Sequence, residues 1–249
     1  MSDPLAPGAA PSGANPDPAA PGGEALDRAA PDRAAPDDAA PDREAPDTVV
    51  FDLGGVLVHW DPRLLFAQVL DEGEDVDAFL DEIGFAEWNH AQDAGRPWAE
   101  AVAEHAARHP HRAEAIAAYP ARFPQSVGGP MPESVAVVAE LRARGVRLLA
   151  LTNWSAELFP LVRPSLGFLA GFEAVVVSGE EGLAKPDPAL FAVLVERHGV
   201  VPERTVYVDD VERNVAAAAA LGFRAYRFVD ADRLRAHLVA EGLLAPRGH

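Results

Sequence analysis

VVFDLGGVLV, residues 49–58, joins an apolar β-type run to one carboxylate, Asp52, and then turns through two glycines. A strand buried on both faces of a sheet is apolar throughout, and ligands bind beyond the carboxyl ends of such strands in α/β proteins. Asp52 therefore lies where chemistry is expected. Gly54 and Gly55 allow close approach of the backbone to a ligand. An Asp after a strand is also a common turn or capping residue, so this stretch alone leaves both interpretations open.

The rest of the chain divides into an alternating series of strands and helices, a helical insertion and an N-terminal tail. Strands are predicted at 146–151, 174–177, 205–208 and 224–228, and helices at 132–144, 155–166, 189–198, 212–221 and 232–241. This alternation predicts an α/β fold, a Rossmann-like doubly wound parallel sheet with helices on both faces. Residues 61–129 have mainly helical spacing and no convincing strand, so we expect a helical cap inserted into a core of residues 49–60 and 130–242. Residues 1–48 repeat Ala, Pro and Asp, which predicts a disordered tail.

The composition argues against several classes of function. The formal net charge of −18 disfavours nucleic-acid binding, for which a basic face is expected. No apolar run is long enough to span a bilayer and no secretion signal is visible, so we expect a cytoplasmic protein without a membrane partner. The absence of cysteine excludes disulfides, thiol catalysis and thiolate metal sites. The oligomeric state is not indicated.

Polar residues end four of the predicted strands, and the carboxyl ends of parallel strands share one edge of a sheet. They are Asp52, Thr152, Ser178 and the pair Asp209-Asp210. For Thr152 and the acidic pair, a role in capping the next helix is as compatible with the sequence as a role in a binding pocket. For Ser178 a structural role is favoured. Carboxylates gathered at one edge repel each other unless a cation joins them, and oxygen ligands favour Mg²⁺ over Zn²⁺.

Lys185 precedes Pro186 in a predicted loop and is the only lysine in a chain that otherwise uses arginine. A surface lysine is the ordinary interpretation, but one lysine kept among arginines indicates a need for a compact ammonium group. A carboxylate nucleophile, a hydroxyl, a lysine and an acidic metal-binding pair form, in this order, a set suited to phosphoryl transfer.

Four motifs occur in a fixed order: FDLGGVL at 51–57, LTN at 151–153, AKPD at 184–187 and VDDVERN at 208–214. Through them the chain resembles hydrolases of the haloacid dehalogenase superfamily over about residues 49–238. DLGGVL and DDxxxN are most similar to bacterial sugar-phosphate phosphatases related to glucose-1-phosphatase. The resemblance implies a Mg²⁺-dependent phosphatase that acts on a small phosphorylated metabolite, with a sugar phosphate favoured.

The same resemblance implies the roles of individual residues. Asp52 would attack phosphorus and form an aspartyl-phosphate, while Lys185 would stabilise the charge of the transferred group. Thr152, with help from Asn153, would bind a phosphoryl oxygen.

The implied metal site draws on two strand ends. Its ligands would be Asp52, the carbonyl of Gly54, and Asp209 or Asp210. Asn214 would order the acidic loop, although a solvent-facing position early in a helix is equally compatible with the sequence.

One departure from the superfamily concerns proton transfer. Most of its phosphatases carry a second Asp two residues after the nucleophile as general acid, and here that residue is Gly54. Loss of a general acid typically costs about 10²–10⁴-fold in rate. The glucose-1-phosphatase branch also has Gly there. We therefore expect either a leaving group that needs less protonation, such as an anomeric oxygen, or a proton from water or a cap residue.

The cap contains a polar cluster at 88–96, WNHAQDAGR, in which Asn89, His90, Asp93 and Arg96 could bind substrate hydroxyl groups. A solvated helix end is an equal alternative. Two other functions also remain open. A 2-haloacid dehalogenase needs no metal, and Asp209-Asp210 would repel its carboxylate substrate. A non-catalytic phosphometabolite-binding protein is the second, because the usual acid is missing.

Overall fold

The computed structural model describes residues 44–247. The predicted disordered tail therefore lies outside the described residues, apart from its last five positions. Of these, 44–47 are irregular and Thr48 begins the first strand. Within residues 44–247, no helix combines the length and the apolar character needed to cross a bilayer.

A five-stranded parallel sheet forms the centre of the fold, with strand order β5-β4-β1-β6-β7. The strands, with a separate β2–β3 pair, are β1 Thr48–Phe51, β2 Val58–Trp60, β3 Val127–Pro130, β4 Arg147–Thr152, β5 Ala174–Val177, β6 Thr205–Asp209 and β7 Arg224–Arg227. The predicted α/β fold with a parallel sheet is confirmed. Because β1 lies between β4 and β6, Asp52 follows the central strand.

The central position of β1 follows from its side chains. Val49 and Phe51 pack into one hydrophobic core cluster, and Val50 packs into a second cluster. Successive side chains of a strand point to opposite faces, so a strand that is apolar throughout supplies both layers. All three side chains are fully buried.

Helices fill the connections. Between β2 and β3 are α1 Arg63–Phe66, α2 Val76–Glu82, α3 Phe85–Asp93, α4 Trp98–Arg108 and α5 Ala113–Ala121; then come α6 Pro132–Ala143, α7 Phe159–Val162, α8 Ser178–Glu181, α9 Pro188–His198, α10 Glu212–Ala220 and α11 Ala231–Ala240. The segment predicted as one irregular helix, 155–166, contains only the single turn α7 followed by a 3₁₀ turn.

The prediction of no strand within 61–129 is wrong at the end of that range. β3 pairs antiparallel with β2, and His59 lies opposite Gly129. Glycine and proline are poor strand formers, so the sequence VGGP gave no strand signal. A Cβ at Gly128 would lie 2.4 Å from Cδ2 of His59, so glycine lets the exposed His59 side chain pack against β3 in this position. The five helices α1–α5 thus leave and rejoin the core through a two-stranded ribbon.

Three polar contacts hold these helices against the core. The Trp98 amide donates to Glu157 Oε1 at 2.9 Å, and the Trp98 indole donates to Ser155 Oγ at 2.9 Å. The buried Ser178 hydroxyl donates to the carbonyl of Asp93 at 2.6 Å. These bonds bring the end of α3 and the start of α4 to the edge where the parallel strands end.

Candidate active site

Three carboxylates meet at the carboxyl ends of β1 and β6. Oxygen atoms of Asp52, Asp209 and Asp210 all lie within 4.8 Å of one another. The two strands are neighbours in the sheet, and Phe51 is in register with Val208, so the residues that follow them arrive side by side. The sheet topology therefore produces the acidic cluster.

Lys185 lies inside this cluster. Its Nζ is 3.0 Å from Asp52 Oδ1 and 2.7 Å from Asp209 Oδ2, and it also donates to the carbonyl of Leu151 at 2.9 Å. The side chain is fully buried. Although burial alone lowers the pKa of Lys185, the charges of Asp52 and Asp209 raise it above its usual value. The ammonium group therefore remains charged, and the surface-lysine interpretation does not apply.

Asn153 holds the loop that carries this lysine. Its Oδ1 accepts the Lys185 amide at 2.8 Å, and its Nδ2 donates to the Lys185 carbonyl at 3.1 Å. The next peptide bond, Lys185-Pro186, is cis. Asn153 also lines the cavity above Asp52. Its amide therefore positions Lys185, and the phosphoryl binding predicted for Asn153 stays a prediction.

Asp209 is saturated with donors. Its carboxylate accepts hydrogen bonds from Lys185 at 2.7 Å, from the Tyr207 hydroxyl at 2.6 Å and from the Val211 amide at 2.9 Å. The Asn214 amide lies 3.1 Å from both carboxylate oxygens. Asn214 is thus directed at the acidic pair. Four donors fix the Asp209 carboxylate, which makes it a poor choice for direct contact with a mobile ligand.

Asp210 has the opposite environment. Its carboxylate accepts no hydrogen bond from another residue of the described chain, and it lines the cavity. Gly55, at φ +73°, passes so close that a Cβ there would lie 2.4 Å from Asp210 Oδ2. Only glycine satisfies both the positive φ and this contact. Asp210 is therefore the member of the pair that is open to a cation.

The Asp52 carboxylate has one occupied and one open oxygen. Oδ1 accepts the Leu53 amide at 2.7 Å and faces Lys185, whereas Oδ2 accepts no hydrogen bond within residues 44–247. Burial raises the pKa of Asp52 to about 7; the charges of Asp209 and Asp210 act in the same direction and Lys185 opposes them. Burial and the Asp209 charge likewise raise the pKa of Asp210. The single ammonium group of Lys185 therefore does not balance the negative charge of the three carboxylates.

A cavity of about 570 Å³ opens above the cluster between the core and the inserted helices. Helix α3 contributes Asn89, His90 and Asp93 to its wall, and α10 contributes Arg213. Asn89 Nδ2 donates to Asp93 Oδ2 at 3.1 Å. Burial, and then the Asp52 charge, raises the pKa of Asp93 to about 7. Burial, and then Arg213, lowers the pKa of His90, so this imidazole is neutral at pH 7.

Three of the predicted site residues do not line this cavity. Asp209 is fully buried within the acidic cluster. Thr152 is buried at the end of β4 and is not one of the residues that line the cavity. Arg96 pairs with Glu104 and lines a separate groove with His105. The physical reason for the position of Arg96 is Gly95, whose φ of +94° turns the chain away after α3.

Sequence reasoning missed two residues of the site, Tyr207 and Arg213. Tyr207 could have been found from spacing, because it lies two residues before Asp209 and so shares its face of the strand. The position of Arg213 at the cavity depends on how α10 faces α3, for which the sequence carries no signal.

A comparison with protein families shows a match to the family model described as haloacid dehalogenase-like hydrolase over residues 46–222. That span covers most of the chain and includes the complete acidic cluster and Lys185. The chain belongs to the haloacid dehalogenase-like hydrolases. This hydrolase has phosphatases among its relatives, and the resemblance seen in the four motifs is confirmed.

Two relatives and one solved structure illustrate the match. The phosphoglycolate phosphatase of Rhodospirillum rubrum is 32% identical over 70% of this chain and 76% of its own length. The phosphoserine phosphatase of Thermus thermophilus is 39% identical, but over only 38% of either chain. The HAD family enzyme BT-2542 of Bacteroides thetaiotaomicron superposes with a TM-score of 0.62 at 20% identity, covering 79% of this chain and 99% of its own. At that identity it supports the fold alone. The coverage of the curated relatives differs: this hydrolase spans 76% of the phosphoglycolate phosphatase, but at most 40% of the phosphoserine phosphatase and of two further relatives.

Proposed function

We propose that this hydrolase is a Mg²⁺-dependent phosphatase that acts on a small phosphorylated metabolite, a sugar phosphate by preference, through an aspartyl-phosphate on Asp52. The open Oδ2 of Asp52, held beside the Lys185 ammonium group under a cavity, carries this proposal. A carboxylate oxygen without hydrogen bonds is a competent nucleophile. The cytoplasmic location expected from the sequence is part of the same proposal.

The acidic cluster fits Mg²⁺. Its donors are all oxygen atoms, and its three carboxylates face a single lysine. Asp52, the Gly54 carbonyl and Asp210 would hold the ion, with Asp209 orienting the loop behind them. When bound, Mg²⁺ offsets the repulsion between the carboxylates and the phosphate and stabilises charge on its oxygens. A structure of BT-2542 is a complex with magnesium and inorganic phosphate, which supports this assignment.

The residues of the chain divide the reaction between them. Asp52 Oδ2 forms a bond to phosphorus as the bond from phosphorus to the leaving oxygen breaks, and Lys185 stabilises the transferred negative charge. The leaving oxygen takes the proton of Asp93. Asp93, now a carboxylate, then accepts a proton from the water that attacks the aspartyl-phosphate and releases inorganic phosphate.

A proton donor has to line the cavity and has to carry an acidic proton near neutral pH. Asp93 meets both requirements, whereas His90 meets only the first. Asp93 lines the cavity together with Asp52 and Gly54, and its raised pKa keeps a proton on the carboxyl group near neutrality. His90 also lines the cavity, but its lowered pKa favours the neutral imidazole, which is a much weaker acid than the imidazolium form.

Replacing Asp93 by Asn tests this assignment. We expect kcat/KM to fall about 10²-fold or more for an alkyl phosphate and only slightly for p-nitrophenyl phosphate, whose phenolate leaves without a proton. In the wild type the rate with the alkyl phosphate should fall as the pH rises above about 7, because Asp93 loses its proton there. Asp93→Asn should remove that limb of the profile. An equal loss with both substrates would contradict a role in protonation, and His90→Ala serves as the matched comparison.

The binding of Mg²⁺ should depend on pH. The pKa of Asp52 is raised to about 7 in the folded protein, so ionisation destabilises the metal-free form as the pH rises toward and through 7. Mg²⁺ competes with that proton. We expect its affinity to weaken by up to about tenfold per pH unit below 7, and the rise in melting temperature at saturating Mg²⁺ to be larger at pH 8 than at pH 6. Equal affinity at both pH values would contradict this expectation, and Asp210→Asn should weaken binding at both.

The first test of the function is phosphate release from p-nitrophenyl phosphate with and without Mg²⁺. Mg²⁺-dependent release supports the phosphatase proposal. The dehalogenase alternative predicts halide release from a 2-haloacid without metal, and the crowded carboxylates of Asp52, Asp209 and Asp210 disfavour it. The binding-protein alternative predicts Mg²⁺-dependent binding of phosphate esters without turnover.

A further inference from the structure

A second, smaller pocket of about 60 Å³ adjoins the active-site cavity. The two spaces share five lining residues: Gly54, Trp60, Asn89, Asp93 and Asn153. The pocket therefore opens on the side of the site where the proton donor Asp93 lies. The shared walls place the pocket next to the space above Asp52.

The walls of the pocket are aromatic and come from both parts of the molecule. Trp98, Tyr119 and Phe123 belong to the inserted segment, and Trp154 and Leu158 follow β4. All five side chains are at most 5% exposed. The hydrogen bond from the Trp98 indole to Ser155 Oγ joins the two walls. The volume of the pocket accommodates only about four or five non-hydrogen atoms.

One polar atom in this aromatic wall lacks a partner. The Tyr119 hydroxyl is fully buried and makes no hydrogen bond within residues 44–247. The Trp60 indole and the Ser126 hydroxyl lie near enough to lower the pKa of the phenol, but neither completes a hydrogen bond with it, and Ser126 donates to the Phe123 carbonyl at 2.7 Å. Burial, and then the Asp93 charge, raises the pKa of the phenol, so it keeps its proton as a donor. Buried polar groups without partners are rare and costly in folded proteins.

We propose that this pocket binds the alcohol part of the substrate and that the Tyr119 hydroxyl hydrogen-bonds to an oxygen carried by that part. The inference rests on the proposed phosphatase function and narrows its substrate class. The leaving group is a short hydroxylated chain of triose size. A hexose ring is too large for the pocket and has to remain in the outer cavity, away from Tyr119.

A pair of esters on the unmodified protein provides the first measurement. Glycerol 3-phosphate and propyl phosphate have the same carbon chain and differ only in two hydroxyl groups. We expect kcat/KM to be about tenfold higher for glycerol 3-phosphate than for propyl phosphate, and higher than for glucose 1-phosphate. Equal use of glycerol and propyl phosphates, or a preference for glucose 1-phosphate, would overturn the proposal.

Tyr119→Phe removes only the hydroxyl group. We expect it to lower kcat/KM about tenfold for glycerol 3-phosphate and less than about twofold for propyl phosphate, with no fall in melting temperature because no protein partner is lost. Tyr226→Phe is the matched control, since Tyr226 stacks on His237 with ring centroids 4.2 Å apart and lines neither space. An equal loss with both esters, or a lower melting temperature, would assign the hydroxyl a structural role and refute the proposal.

Failure of the proposed function would look different. In that case no phosphate is released from any ester, p-nitrophenyl phosphate included. Calorimetric titration of glycerol 3-phosphate and propyl phosphate into the unmodified and Tyr119→Phe proteins, with Mg²⁺ present, then decides the pocket assignment without turnover. Tighter binding of glycerol 3-phosphate that depends on Tyr119 supports it, and equal binding overturns it.

Discussion

Asp52→Asn is expected to abolish Mg²⁺-dependent phosphate release from p-nitrophenyl phosphate, with a loss of at least about 10⁴-fold. The amide keeps an oxygen that can accept the Leu53 amide, as Asp52 Oδ1 does at 2.7 Å, so the turn after β1 remains supported. It loses the anionic Oδ2 that we propose as the nucleophile. Lys185 keeps its contact with Asp209 at 2.7 Å, so the buried ammonium group retains a charged neighbour. The substitution should therefore lower the rate of phosphate release without unfolding the protein.

The control is the same substitution at an exposed position. Asp71→Asn removes one carboxylate from the surface of the inserted helical segment and should leave the rate unchanged. Thermal unfolding of Asp52→Asn should show no loss of stability in the metal-free protein, because burial disfavours the charge at this position. Residual Mg²⁺-dependent release above about 1% of the wild-type rate would show that another group attacks phosphorus.

The centre of the site could be predicted because its signals are local. An apolar run that ends on a carboxylate identifies β1 and Asp52, and the topology rule for parallel sheets then brings Asp209 and Asp210 to the same edge. Lys185 could be singled out because it is the only lysine in the chain. These inferences use the composition, the apolar pattern of single segments and a general rule of sheet topology, so none of them needs the packing of particular side chains.

The cap side of the site depends on packing between segments distant in sequence. His90 and Asp93 reach the cavity, whereas Arg96, three residues later, does not. The chain turns at Gly95, where a Cβ would lie 3.1 Å from the Cα of Gly182, so the direction of Arg96 is set by contact with a core loop. The strand VGGP at 127–130 could not be predicted for the same reason. Its Gly128 packs against the side chain of His59, which is distant in sequence.

Lys185→Met is expected to affect both folding and catalysis. Lys185 is fully buried between Asp52 and Asp209, and its removal leaves buried carboxylates without a cation, a change that costs about 3–5 kcal/mol in the free energy of unfolding. Mg²⁺ should restore part of this stability. Phosphate release should fall by about 10³-fold even at saturating Mg²⁺, because no other described cation lies within salt-bridge distance of Asp52. Urea unfolding and p-nitrophenyl phosphate assays measure the two effects separately.

The chain has no second lysine for a matched substitution, so the control is a double variant. Lys185→Met with Asp209→Asn removes one buried charge of each sign and should recover much of the stability lost in Lys185→Met. It should not recover activity, since the ammonium group beside Asp52 is still absent. Recovery of both would mean that Lys185 only balances Asp209 and takes no part in phosphoryl transfer. Recovery of stability alone separates the two functions of this residue: it neutralises the buried carboxylates in the resting protein and the transferred charge in the reaction.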